Sequence, residues 1–317
     1  MHIPVLQKEV LEYFDPKPNE NFVDCTVGEG GHALSILEKT GPNGKILGIE
    51  WDEQELKKLE GKIKNPDIKK RLIFTCGSYT NLKEIIKENL AYRQAGNFNS
   101  ISGILLDLGM SSWHLEESKR GFSFLKNEPL DMRYNSTNQL TAEKILNFWS
   151  ELDIEKIIKE YGEERFAKSI AKNIISFRQI KPIENTFQLV EIIRTSLPAR
   201  TLFHSGIKRA VPFKYQRGRI HPATRTFQAL RIAVNDELNN LNNVLPQALE
   251  VLKTNGKLIV ISFHSLEDRI VKNFFRDKQK ENLVKILTKK PVVPLFQEIK
   301  NNPRSRSSKL RTIIKIN

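Results

Sequence analysis

The segment Asp24-Cys25-Thr26-Val27-Gly28-Glu29-Gly30-Gly31-His32 sets three glycines and a histidine between a short apolar run, Phe22-Val23-Asp24, and a helical pattern from Ala33 to Leu37. Glycine lets a ligand approach the backbone closely, and the first turn of a helix offers N–H groups that have no partner within the helix. Such a turn suits a nucleotide-like ligand, although by itself it is equally a tight structural turn. Spacing adds to it. Glu50 closes the next apolar run, where a carboxylate accepts hydrogen bonds from both hydroxyls of a ribose. Tyr79 follows the third run, placed to cover an adenine face, and Asp107 closes the fourth beside the crevice.

The cofactor class follows from what the turn lacks. Gly28-x-Gly30-Gly31 has no third glycine at the spacing a dinucleotide pyrophosphate requires, which argues against a nicotinamide enzyme. S-adenosylmethionine has no pyrophosphate and fits the looser turn. No Gly-x-x-x-x-Gly-Lys-Ser/Thr occurs, so a P-loop is excluded. A second group of chemical interest is Ser262-Phe263-His264-Ser265: Phe263 can stack on a flipped base and His264 can relay a proton, or the pair is a core ring and a helix cap. No Gly-x-Ser-x-Gly elbow surrounds these serines, and none of the six histidines forms a close metal-binding pair, so neither a hydrolase nor a metal site is expected.

These residues need a scaffold that brings strand ends together. From Asn21 the chain alternates short apolar runs with helical patterns, the runs being Phe22 to Asp24, Lys45 to Glu50, Arg71 to Cys76 and Ile101 to Leu106. That rhythm predicts a doubly wound α/β sheet. It stops after Leu108. Helical spacing then predominates in Glu155 to Tyr161, Phe166 to Phe177 and Phe187 to Leu197, which predicts an inserted helical domain. The α/β pattern resumes with one long predicted helix from Pro222 to Leu252, ended by Asn255-Gly256, then an apolar strand Lys257 to Phe263 and a helix from Leu266 to Phe275. Two late β-like runs, Leu283 to Leu287 and Leu310 to Ile316, flank a basic loop. The expected division is a core of residues 1–113 and 216–317 around an insertion of 114–215.

Charge points to the partner. Lys+Arg number 51 against 37 Asp+Glu, for a net charge of +14 in 317 residues. Residues 192–235 contain nine cations and no acid, and residues 251–317 carry 16 cations against 5 acids. A stretch this free of acids favours nucleic acid over anionic lipid. Arg200, Lys208, Arg209, Lys214, Arg217, Arg219 and Arg225 are candidates for phosphate contact, joined by Arg304, Arg306 and Lys309; Arg225 is alternatively an internal ion-pair partner. The N-terminus has no secretory pattern and no run reaches membrane-spanning length, so a cytosolic protein without a membrane partner is expected. Two cysteines, Cys25 and Cys76, exclude a disulfide framework and read as small apolar fillers.

The chain resembles the bacterial RsmH (MraW) N4-cytidine methyltransferases of 16S ribosomal RNA. The resemblance is carried by His2 to Leu6, Asp24 to His32, Gly103 to Gly109 with Ser111-Ser112, Arg120 to Phe124 and Pro129 to Arg133, then by Tyr161 to Ala167, His221 to Arg231, Ile261 to Val271 and Asn302 to Ser308. It runs from end to end. It implies a class I S-adenosylmethionine-dependent fold, Rossmann-like, with an inserted helical domain. It also implies a cofactor pocket of Gly30, Gly31, His32, Glu50, Tyr79, Asp107 and His114. Glu50 stands where the family usually has Asp, Tyr79 where Phe is common, and Trp113-His114 where Pro-Gln is common. The implied reaction is methyl transfer to N4 of a P-site cytidine in the small ribosomal subunit. That nitrogen is a poor nucleophile, so the site needs acceptors for its protons. Asp107 is the first candidate for that role, with cofactor contact as its other role, and His264 is the second.

Overall fold

The computed structural model describes residues 4–92, 100–198 and 221–316. In chain order its helices are α1 (Gln7–Phe14), α2 (Gly31–Lys39), α3 (Glu53–Lys62), α4 (Pro66–Arg71), α5 (Leu82–Tyr92), α6 (Ser112–Glu116), α7 (Ala142–Phe148), α8 (Glu151–Glu160), α9 (Ala167–Arg178), α10 (Thr186–Ser196), α11 (Thr224–Asn235), α12 (Glu237–Val251), α13 (Ser265–Lys280) and α14 (Phe296–Asn301). The strands are β1 (Asn21–Asp24), β2 (Ile46–Glu50), β3 (Leu72–Cys76), β4 (Ile101–Asp107), β5 (Leu252–Ser262), β6 (Val284–Ile286) and β7 (Lys309–Lys315). The chain separates into two compact units, Met1–Ser111 with Leu238–Asn317, and Ser112–Glu237.

The first unit is built on one sheet of order β3-β2-β1-β4-β5-β7-β6. Neighbours from β3 to β5 run parallel, and β7 runs antiparallel to both β5 and β6. Side chains alternate between the faces of a strand, so a parallel sheet covered on both sides reads as a continuous apolar run. Val23, Leu47, Leu106 and Val260 enter one core with Leu241, Val244, Val271 and Phe275. Their neighbours Phe22, Ile46, Leu105 and Ile259 enter the other with Val10, Ile36 and Leu56. The order reverses at β1 and β4, which places a crevice at the carboxyl ends of those strands, where ligands bind in open α/β sheets. The α/β class and the Rossmann-like sheet expected from the sequence are both present.

Three boundaries differ from the expectation. The predicted helix from Pro222 to Leu252 is two helices: α11 ends at Asn235, Asp236 turns left-handed at φ 51°, and α12 begins at Glu237. The apolar spacing continues through this break, which hides it from a periodicity argument. Contacts of Asn235 and Arg231 hold the break. Asn235 donates to the Met132 carbonyl at 2.7 Å and accepts the Tyr134 N–H at 2.8 Å, and Arg231 forms a paired contact with Glu237 at 2.8 and 2.9 Å across the turn. The second difference follows: α11 belongs with the second unit, so the return to the sheet comes at 237/238 and not at 215/216. Gly162 shows how tightly α11 is held, since a Cβ there would stand 2.7 Å from the Arg225 carbonyl oxygen. The Asn255-Gly256 pair lies inside β5, where Asn255 has φ 65° and the register against β4 shifts.

Candidate active site at the strand ends

The glycine turn is positioned by the two strands beside it. Cys25 donates its N–H to the Leu105 carbonyl of β4 at 2.9 Å and Val27 to the Ile49 carbonyl of β2 at 3.0 Å. Gly28 and Gly30 then take φ values of 47° and 82°, a region that favours glycine. At Gly31 the constraint is space, because a Cβ would stand 2.2 Å from the Pro4 ring. Gly30 caps α2, and His32 follows in its first turn, 7% exposed.

His32 and Asp107 meet at the crevice. His32 Nε2 lies 3.6 Å from Asp107 Oδ2, an ion-pair distance that is too long for a hydrogen bond. Both ring nitrogens of His32 and Oδ1 of Asp107 are buried without a hydrogen-bond partner. Buried polar atoms are nearly always paired, so three orphans on two facing side chains mark a place for a polar ligand. Asp107 is itself fixed by its N–H, which donates to Thr26 Oγ1 at 2.8 Å. Below them sits Asp24, 2% exposed. Burial pushes its carboxyl up to about 6, with Asp107 and Glu50 raising it further, against His32 and the Thr26 N–H.

Glu50 ends β2 as expected and is held in place by backbone donors. Its Oε1 accepts the N–H groups of Trp51 and Asp52 at 2.8 and 3.1 Å, and its Oε2 accepts that of Gly28 at 3.1 Å. These bonds fix the carboxylate beside the glycine turn, at the carboxyl end of β2. Tyr79, in the short 3-10 turn Tyr79–Asn81, stacks on Trp51 with centroids 5.2 Å apart and planes 16° from parallel. The aromatic wall is therefore a pair. Trp51 is absent from the sequence-based set, although an aromatic directly after Glu50 was a visible signal.

Phe263 follows β5 at the same edge of the sheet. Its ring lies against Gly109, where a Cβ would come within 2.7 Å of Cε2, so glycine at 109 is what admits the ring. His264 is spent on the helix that follows: its Nδ1 accepts the Glu267 N–H at 3.5 Å, while Glu267 accepts the N–H groups of Phe263 and His264 at 2.8 and 3.3 Å. This is a capping box opening α13. The cap, one of the two expected readings of His264, is present, and the other ring nitrogen, Nε2, stands 3.1 Å from Glu267 Oε1.

His114 belongs to the second unit. It is buried in α6 with its ring edge-on to Phe122 at 5.1 Å and to Tyr134 at 4.9 Å, and those two rings stack on each other. Among the phosphate candidates, Arg225 faces Glu164 at 3.8 Å and Lys309 faces Asp268 at 3.3 Å, so both are ion-pair partners within the fold. Arg304 and Arg306 lie on an exposed 3-10 turn, Pro303–Ser307. Arg200, Lys208, Arg209, Lys214, Arg217 and Arg219 lie outside the described residues. Cys25 is buried as expected, whereas Cys76 is exposed at the end of β3. Among the described residues no helix is long and apolar enough to cross a membrane.

Relatives match the chain along nearly its whole length. It is 42% identical to a protein of Heliobacterium mobile named ribosomal RNA small subunit methyltransferase H, over 99% of each chain. Proteins of the same name from Sulfurihydrogenibium sp. (strain YO3AOP1) and Clostridium botulinum (strain Kyoto / Type A2) are 43% and 39% identical, covering 98% and 99% of this chain and 97% and 99% of theirs. The family model described as the MraW methylase family matches residues 1–316, and the chain belongs to that family.

Proposed function

We propose that this protein transfers the methyl group of S-adenosylmethionine to the exocyclic N4 of a P-site cytidine in the 16S RNA of the small ribosomal subunit. The observation that carries the reading is the crevice at the ends of β1 and β4, where His32 and Asp107 present three buried polar atoms without protein partners. The names of the relatives, which specify small-subunit ribosomal RNA, support the substrate. Ribosomal RNA also fits the cation excess of the chain and places its work in the cytoplasm.

The residues fit an adenosyl cofactor. Glu50 sets a carboxylate beside the turn where a ribose would lie, the Trp51–Tyr79 pair offers an aromatic face to adenine, and the Gly28–Gly31 turn admits close backbone approach. When bound, the cofactor supplies a methyl group on a positively charged sulfur. Asp107 accepts a hydrogen bond from the amino group of the cytidine, which localises the nitrogen lone pair as the N–C bond forms and takes up the displaced proton. His32, 3.6 Å away, shares that charge. Phe263 provides a flat apolar surface for the flipped base. The RNA backbone is held by exposed cations such as Lys289, Lys290, Lys300 and Arg306, with Phe296, 81% exposed among them, as a stacking surface.

The test is incubation with labelled S-adenosylmethionine and small subunits from a strain that lacks the activity. One label per subunit, recovered as N4-methylcytidine after digestion, is the expected result. RNA that stays unlabelled while the protein binds S-adenosylhomocysteine removes the transfer reading; label on another atom removes the N4 assignment.

A further inference from the structure

Glu55 is buried in the first turn of α3, 2% exposed, at a position where helical side chains usually face solvent as charges. Asp52 caps that helix by accepting the Gln54 and Glu55 N–H groups, which fixes the direction in which Glu55 points. Its Oε2 accepts the hydroxyl of Ser111 at 2.9 Å, four residues beyond Asp107. Its Oε1 stands 3.7 Å from the position a Gly28 Cβ would take. Glu55 therefore bonds the segment after β4 and lies beside the glycine turn after β1.

From this geometry we infer that Glu55 is a positioning residue of the cofactor site, a strut that sets the spacing between the Gly28 turn and the Ser111 segment. The inference rests on the proposed placement of the cofactor against Glu50 and the glycine turn. Glu50 accepts the Gly28 N–H at 3.1 Å, so the Glu55 carboxyl lies on the same stretch of the turn as a second acid. Asp52 on its own helix and Glu29 in the turn also face Glu55; Lys62 is turned to Glu29 at 3.3 Å. Two adjacent carboxylates out of water cannot both ionise cheaply. Burial first, and Glu50 second, push Glu55 up to about 9, which the Ser111 hydrogen bond only partly offsets. The strut is thus neutral at physiological pH and leaves Glu50 as the charge presented to the ribose. Ionisation of Glu55 sets a second charge against Glu50 and drives the turn and the ribose acid apart.

The experiment is calorimetric titration of S-adenosylhomocysteine into the full chain between pH 7 and 10, for the wild type, Glu55→Gln, Glu55→Ala and Glu50→Ala. The ligand amine titrates alike in all four, so the readout is the difference between variants. Glu55→Gln, a neutral isostere, is expected to match the wild type at pH 7 and to exceed it about tenfold at pH 10, one pH unit above the strut's midpoint. Glu55→Ala is expected to bind more weakly at every pH. Wild type and Glu55→Gln falling together with pH overturns the inference, as does a Glu55→Gln protein that loses binding at pH 7. Glu50→Ala separates the two levels of the argument. Unchanged affinity in that variant removes the cofactor placement and the strut role with it, whereas weakened affinity there leaves the comparison of Glu55→Gln with the wild type to decide on the strut alone.

Discussion

His32 Nε2 and Asp107 Oδ2 stand 3.6 Å apart, near enough to share a charge and too far to share a proton. A pair evolved for stability closes to a hydrogen bond; one left open at a crevice keeps its remaining capacity for a ligand. Replacing Asp107 by Asn is expected to lower methyl transfer by about 100-fold, the scale of losing one aligned polar group at a reacting centre. The unfolding midpoint should hardly move. A large loss of stability with unchanged turnover per folded molecule counts against a role for Asp107 in the site.

The glycine turn yields a steric prediction. Gly30 has φ 82°, and a Cβ there would stand 2.8 Å from Leu59 Cδ1, whereas Gly41 has open space around it. Gly30→Ala is expected to cost about 1–3 kcal/mol of stability from the left-handed backbone and to weaken S-adenosylhomocysteine binding measured by calorimetry. Gly41→Ala, as a control in the same unit, should leave the binding as it is. Equal affinities for the two variants speak against the turn as the cofactor cradle.

Two buried acids predict how stability depends on pH. Burial raises Asp24 from 3.8 to about 6 and Glu55 from 4.5 to about 9, so the folded state holds each proton more tightly than the unfolded chain does. The stability each contributes is fully present below its unfolded value and is lost as pH rises through its folded value. Urea midpoints should therefore fall from about pH 4 to 6 on account of Asp24, and from about pH 4.5 to 9 on account of Glu55, by up to about 1.4 kcal/mol per pH unit per group. Asp24→Asn should flatten the first interval and Glu55→Gln the second. Variants with the wild-type slope show that these carboxyls are hydrated in solution.

Asn235 offers a test of the unit boundary. It is 5% exposed and serves the Met132 carbonyl and the Tyr134 N–H, two backbone groups of the second unit. Asn235→Ala strands both and is expected to cost about 2–5 kcal/mol by urea unfolding. Hydrogen exchange should quicken in 130–140 and spare the amides of β1 and β4. Uniform loss of protection across both units contradicts the assignment of α11 to the second.

The amino-acid sequence by itself determined the elements with strong periodicity and the ends of the parallel strands. Glu50 and Asp107 were legible because a strand buried on both faces is an apolar run that stops at its first polar residue, and the glycine turn because few residues tolerate its backbone angles. Charge and the end-to-end resemblance pointed to RNA without any coordinates. Only the tertiary structure decided what each polar side chain is used for. His264 and Lys309 look available in the sequence and are committed to a helix cap and to Asp268. Glu55 and Asp24 look like ordinary surface or turn acids, and burial turns them into groups whose protons matter at working pH. The helix break at Asp236 was hidden for the same reason, since apolar spacing records which face is buried and not which unit buries it. Burial and pairing depend on residues distant in the chain, and a one-dimensional pattern does not carry them.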